Sequence, residues 1–240
     1  MKDTYPLLSE NEEQIKKKEE ENIDNLIRRG FIVKVYGLLL IQLAITFSFV
    51  FLSIEIKALS IFLRIHFYFL IVMAITPFII LICFLIKPQL TIKVPINYIL
   101  LFIFCLSEGY LIARFAIEFQ KKYVYFSLLL TLTAVLTLTI YANYTKEDFT
   151  LLGGILCVVL ILLIVGGIVN IFLRMKLLKL ILNITGIILF SFYIIYDTQL
   201  IIGNKERTIS EDDYILAVIN LYLDIINLFI QILSFFGSKK

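Results

Sequence analysis

The sequence is short of the residues that build most catalytic and redox centres. It has one histidine, His66, and three cysteines, Cys83, Cys105 and Cys157, in 240 residues. A single imidazole without a cysteine–histidine cluster argues against a zinc centre. An odd number of thiols, each inside an apolar run, makes a poor disulfide framework. Charge is scarce as well: 17% of residues are charged and the net charge is +3. That balance is too small for a nucleic-acid footprint, and no basic stripe with interleaved aromatics compensates for it. No glycine-rich phosphate loop is present, so nothing suggests a nucleotide as energy source. No resident cofactor and no nucleic-acid partner are therefore expected.

What the chain has is apolar surface. It is 60% hydrophobic, with a mean hydropathy of +0.96, which moves the expectation to an integral membrane protein in contact with lipid. A helix crossing a hydrocarbon core of about 30 Å needs roughly 20 residues. Seven segments have that length: approximately 31–53, 66–86, 96–116, 123–142, 149–172, 178–202 and 214–236. The connections are short and polar, among them "EFQKK", "NYTKED" and "RMKLLK", so consecutive spans must be antiparallel neighbours. The first connection, "IEIKALSIFLR", is partly apolar and suits the membrane interface. The runs lack the alternation of barrel strands, and lipid admits only helices or closed barrels. The expected fold is all-α: one transmembrane domain of seven helices over residues 31–240.

Residues 1–30 differ in kind. "SENEEQIKKKEEENIDNLIRR" has mixed charge and little apolar surface, as expected of a solvated tail that is partly disordered or transiently helical. It lacks the apolar core of a signal peptide. Arg28, Arg29 and Lys34 crowd the start of the first span, which favours a cytosolic N terminus.

Ionisable residues at membrane depth cost about 2.5–3.5 kcal/mol each, so each asks for a reason. Three stand out: Glu108, Asp197 and Asp224. In the last span, Asp213, Asn220, Asp224, Asn227 and Gln231 follow one another at helical spacing and fall on one face. Such a stripe reads either as the wall of a wet path or as interhelical hydrogen-bonding glue, and the aspartate within it favours the path. Asp197 lies about 9 Å in from Gly203 and Asp224 about 15 Å in from Tyr214 on a short-looped hairpin. The two carboxyls can therefore meet if their faces do, or Asp197 can face interfacial water. Met in low dielectric, they would share a proton and titrate as a pair. Two carboxylates with nearby amides also form the hard-oxygen donor set that Ca²⁺ prefers. Glu108 either lines the same path or is relieved by a packing hydrogen bond. His66 reads as interfacial. The glycine pairs Gly153-Gly154 and Gly166-Gly167, and the series Ser127, Thr131, Thr133, Thr137 and Thr139, read as close-packing surfaces.

"FIVKVYGLLLIQLAIT", "YANYTKEDFTLLGGIL", "FYIIYDTQLIIG" and "SEDDYILAVINLYLDIINLFIQIL" together resemble the Bax-inhibitor family of transmembrane proteins, most closely its Lifeguard branch. The resemblance covers nearly all of the chain after the tail. It implies a seven-helix bundle with an acidic pair on the last two long helices, which falls on Asp197 of "YDTQ" and Asp224 of "LYLD". It also implies a pH-sensitive Ca²⁺ leak from internal stores, protection against cell death, and residence in endoplasmic reticulum, Golgi or endolysosomal membranes. Glu108 matches the acidic residue of the third helix in Lifeguard-type members. Some relatives latch the pair with an arginine in the second helix; here residues 67–86 hold no basic residue, and Arg64 lies ahead of them.

Two functional readings follow, and a third is weaker. The first is a passive Ca²⁺ pathway in which protons and Ca²⁺ compete for Asp197 and Asp224, with Glu108, Asp213, Asn220, Asn227 and Gln231 as lining. The second is a non-conducting protein that binds other membrane proteins of cell-death or calcium signalling. An intramembrane aspartyl protease would place its second aspartate in Gly-x-Gly-Asp and carry a later Pro-Ala-Leu. Asp224 instead follows Leu-Tyr-Leu, and no proline follows Pro95. No catalysis is expected.

Overall fold

Long runs of Leu, Ile and Phe with few glycines leave the backbone one economical solution at membrane depth, the i→i−4 hydrogen-bonded helix. A computed structural model describes residues 4–203 and 205–238. Among them lie α1 (Thr4–Glu55), α2 (Lys57–Ile65), α3 (Phe67–Ile86), α4 (Gln89–Ile92), α5 (Ile96–Ala116), α6 (Lys121–Tyr144), α7 (Gly153–Leu173), α8 (Lys176–Ile202) and α9 (Tyr214–Phe236). Seven of these are long and apolar enough to cross a membrane, as the spans in the sequence lead one to expect. The short α2 and α4 occupy two of the connections.

The polar tail is helical from Thr4 and continues into the first span without a break. Its Glu, Gln and Lys residues are good helix formers. Residues 16–27 are exposed. The partly apolar first connection becomes α2, which buries Leu63 and exposes Ile61, Phe62 and Ile65. His66 sits between α2 and α3 with its ring 4.3 Å from that of Phe62.

α9 is the most enclosed span, and it packs on α8, α1, α6 and α5. Its Tyr222 and Phe229 are fully covered. α7 is the opposite case: of its residues only Leu156 is buried. Its helical neighbour is α8. Gly166 permits that approach, since a Cβ there would fall 2.7 Å from Leu182 Cδ2, whereas Gly154 and Gly167 meet nothing within 4 Å. Of the hydroxyl series on α6, Ser127 and Thr131 are buried. Thr133 and Thr137 are exposed, their hydroxyls bonded to carbonyls of their own helix.

Candidate ion site

The site is built on the α8–α9 hairpin, whose tail-side end is held by three sets of contacts. α8 ends in Gly203 at φ 76°, a left-handed cap that glycine adopts without strain. A Cβ at Gly203 would lie 2.5 Å from Arg28 Nε of α1, so the missing side chain also admits the guanidinium. Arg28 donates to the carbonyls of Ile202 at 3.3 Å, Ile209 at 2.7 Å and Leu200, and pairs with Glu211 at 2.7 Å. Gln199, fully buried, accepts from Phe149 N at 2.8 Å and donates to Glu147 O at 3.0 Å, tying α8 to the α6–α7 connection. Lys205 Nζ donates to Thr145 O at 2.9 Å in the same connection.

With the hairpin held in this register, Asp197 and Asp224 face each other within hydrogen-bonding reach. They are 6% and 8% exposed, so Asp197 does not face interfacial water as the sequence allowed. Asp224 Oδ2 has no hydrogen-bond partner. Both line a cavity of about 450 Å³ together with Asn220, Asn227 and Gln231. The stripe on α9 and the partner on α8 thus converge. Asn227 also bonds its own helix through Leu223 O at 2.8 Å.

Two of the residues named from the sequence are not among those lining the cavity. Asp213 stands half-buried at the N-cap of α9. Glu108 lies on α5, next to a different polar cluster in which Thr46 Oγ1 meets Tyr222 Oη at 2.8 Å and Cys105 Sγ at 3.7 Å. Tyr222 and Asp224 are two residues apart, so they leave α9 in nearly opposite directions. The Thr46–Tyr222 bond therefore fixes the rotation that turns Asp224 toward Asp197.

Tyr193 and Tyr196 also line the cavity, edge-to-face with centroids 6.3 Å apart, and sequence reasoning did not single them out. Two glycines make room for this lining. A Cβ on Gly153 would lie 2.7 Å from the Tyr196 hydroxyl, and one on Gly186 would lie 2.6 Å from Gln231 Cδ. Leu160, Leu163 and Ile164 of α7 form the opposite, apolar wall. Among the described residues no cation forms an ion pair with either aspartate. Arg64 bonds instead to Ile117 O at 2.9 Å and lies 3.5 Å from Glu118, at the membrane face away from the tail. Oxygen donors from two carboxyls and three amides around one space can hold a cation or its water shell, and no ring of acidic, histidine or cysteine residues large enough for a tight metal cage occurs among the described residues.

Comparison with known proteins bears on this geometry. The family described as "Inhibitor of apoptosis-promoting Bax1" matches residues 28–240. Protein lifeguard 3 of Homo sapiens is 32% identical over 206 residues, which is 83% of this chain and 65% of that protein. The Mus musculus protein of the same name is 31% identical over 206 residues, covering 83% of this chain and 66% of its own length. The "Golgi anti-apoptotic protein" of Vaccinia virus (strain Lister) is 38% identical over 131 residues, 55% of this chain and 54% of the viral one. The chain thus spans a little under two-thirds of the lifeguard proteins it matches.

Proposed function

This chain belongs to the Bax-inhibitor family, and from that premise we propose that it is a multi-pass protein of an intracellular membrane that opposes cell death by letting Ca²⁺ leak through a pH-sensitive path. The observation that carries the reading is the convergence of Asp197 and Asp224 in one cavity with Asn220, Asn227 and Gln231. The viral relative's name supports a Golgi membrane, and the basic residues Arg28, Arg29 and Lys34 support a cytosolic tail. The protein works without catalysis or a resident cofactor; Ca²⁺ is its cargo, and protons compete for the same two carboxyls.

With one proton shared, the pair carries a single negative charge and is bridged by a hydrogen bond. Loss of that proton adds a second charge, which repels the first and attracts a divalent cation. Flux should therefore fall as pH is lowered and the pair refills with protons. The titratable groups around the pair are Tyr193 and Tyr196 on α8 and Cys157 on α7, with Arg207 of the α8–α9 connection within electrostatic reach of Tyr196. α1 brings Tyr36 against Thr198, next to Asp197.

The test is Ca²⁺ entry into liposomes that hold an indicator, recorded over a pH series for wild type, Asp197→Asn and Asp224→Asn at equal insertion. A pH-dependent flux that either substitution flattens is expected. Entry no greater than in empty liposomes at every pH would remove the conduction reading and leave a membrane protein that acts by binding others.

A further inference from the structure

The cavity is larger and less polar than a bare ion requires. Ca²⁺ takes six to eight oxygens at about 2.3–2.6 Å, yet this space encloses about 450 Å³ and has both an acidic and an apolar side. Its acidic side ends in Asp224 Oδ2, a buried acceptor with no partner. Beside it stand the rings of Tyr193 and Tyr196, set nearly perpendicular at 89°. Aromatic faces attract organic cations. Facing them are Leu160, Leu163 and Ile164 on α7, a helix most of whose surface looks outward to lipid. A hydrogen-bonding anionic end, an aromatic corner and an apolar wall open toward the bilayer describe the two halves of one amphiphile.

We propose that the cavity binds a single-chain lipophilic primary amine, its ammonium between Asp197 and Asp224 against the two tyrosines and its chain along α7. Charge matching favours this occupant. A carboxyl pair sharing one proton carries one negative charge, which a monovalent ammonium neutralises. The ammonium's three N–H donors have acceptors in Asp224 Oδ2, Asp197 and the amide oxygens of Asn220 or Asn227. A zwitterionic phospholipid headgroup fits less well, because its phosphate would be drawn in beside two acidic groups. The inference concerns the site of the proposed Ca²⁺ path and makes the amine a competitor of Ca²⁺ there; the binding itself depends only on the cavity.

The experiment uses the full chain in phosphatidylcholine nanodiscs without Ca²⁺ and reads the thermal unfolding midpoint against added dodecylamine, dodecanol or methylamine. Dodecylamine should raise the midpoint saturably, and the other two should not. Asp197→Asn and Asp224→Asn each leave one carboxylate and so keep the single charge, and each alone should weaken the response only in part. The two together remove the charge and should weaken it at least about tenfold, the loss of a charge-assisted hydrogen bond. Tyr196→Leu, which keeps the acidic pair, should weaken it less. Equal responses to dodecanol, equal responses to methylamine, or a dodecylamine response that persists in the double asparagine variant would each overturn the proposal. In parallel liposomes dodecylamine should block Ca²⁺ entry. A saturable midpoint shift in a protein that passes no Ca²⁺ would retain this inference and remove the leak. Ca²⁺ entry with no amine-specific shift would do the reverse.

Discussion

Asp148 accepts hydrogen bonds from the Thr150 hydroxyl at 2.6 Å, Thr150 N at 2.9 Å and Glu206 N at 3.2 Å. These bonds, the Thr150 hydroxyl first, hold its carboxyl below the usual aspartate range. A depressed folded value contributes stability above the unfolded pKa, and that contribution is lost as pH falls through the folded one. The α6–α7 connection should therefore exchange its amide hydrogens at a constant protection factor from pH 7 to about 5 and loosen below about 4. Asp148→Ala should loosen it above about pH 5 and differ less from wild type below about 4; protection at residues 149–152 that is unchanged in the variant at pH 7 would refute the cap. This is a residue whose part the sequence hides, since Asp148 there is one more charge in a polar loop. Asp197 and Asp224 were legible for the opposite reason, being acids inside apolar runs. Tyr193 and Tyr196 were not, because an aromatic in a lipid span looks the same whether it faces a cavity, a helix or a lipid. Gly153 was legible as a packing residue, but the hydroxyl it clears for could be known only from the fold.

The hairpin of α8 and α9 owes its register to contacts that are remote in sequence. Arg28 lies more than 170 residues from the carbonyls it binds, so no local pattern announces it; near a membrane surface it reads as a topology signal. Its side chain is only 14% exposed, and it serves several acceptors at once. Arg28→Ala should lower stability by about 3 kcal/mol, since charge-assisted bonds are lost and carbonyls at the end of α8 are left open. Arg28→Lys should recover less than half of that, because an ammonium cannot span acceptors that a planar fork reaches. Thermal unfolding of the three proteins in one detergent checks both statements, and a lysine variant as stable as wild type would deny the fork its role. The spans themselves were readable from length and hydropathy, whereas the first connection was readable only as partly apolar and not as the helix α2. In the tail, high charge leaves no core to join, and its Glu, Gln and Lys residues favour a helix that α1 simply extends.

Across the whole bundle, burial is uneven in a way that suits a path. α9 is surrounded, α1 and α5 are clamped to it through Thr46, Cys105 and Tyr222, and the end of α9 is stitched to α6 where Gln120 N donates to Ser238 O at 3.1 Å. α7 is held chiefly by α8 and supplies the wall of the cavity opposite α9. If the cavity is the route, the cheapest motion that widens or closes it is a displacement of α7 relative to α9, because that breaks the fewest packed contacts. Ile164 and Leu223 line the cavity from those two helices. In a chain whose Cys83, Cys105 and Cys157 are replaced, Ile164→Cys with Leu223→Cys joined by a cleavable bismaleimide should abolish Ca²⁺ entry, and cleaving the linker, which leaves half of it on each cysteine, should restore part of it. The same linker attached to either cysteine alone should leave partial flux, which separates a locked helix from a filled cavity. Full flux through the cross-linked protein would mean that neither the cavity nor α7 lies on the path, even if both aspartates affect transport.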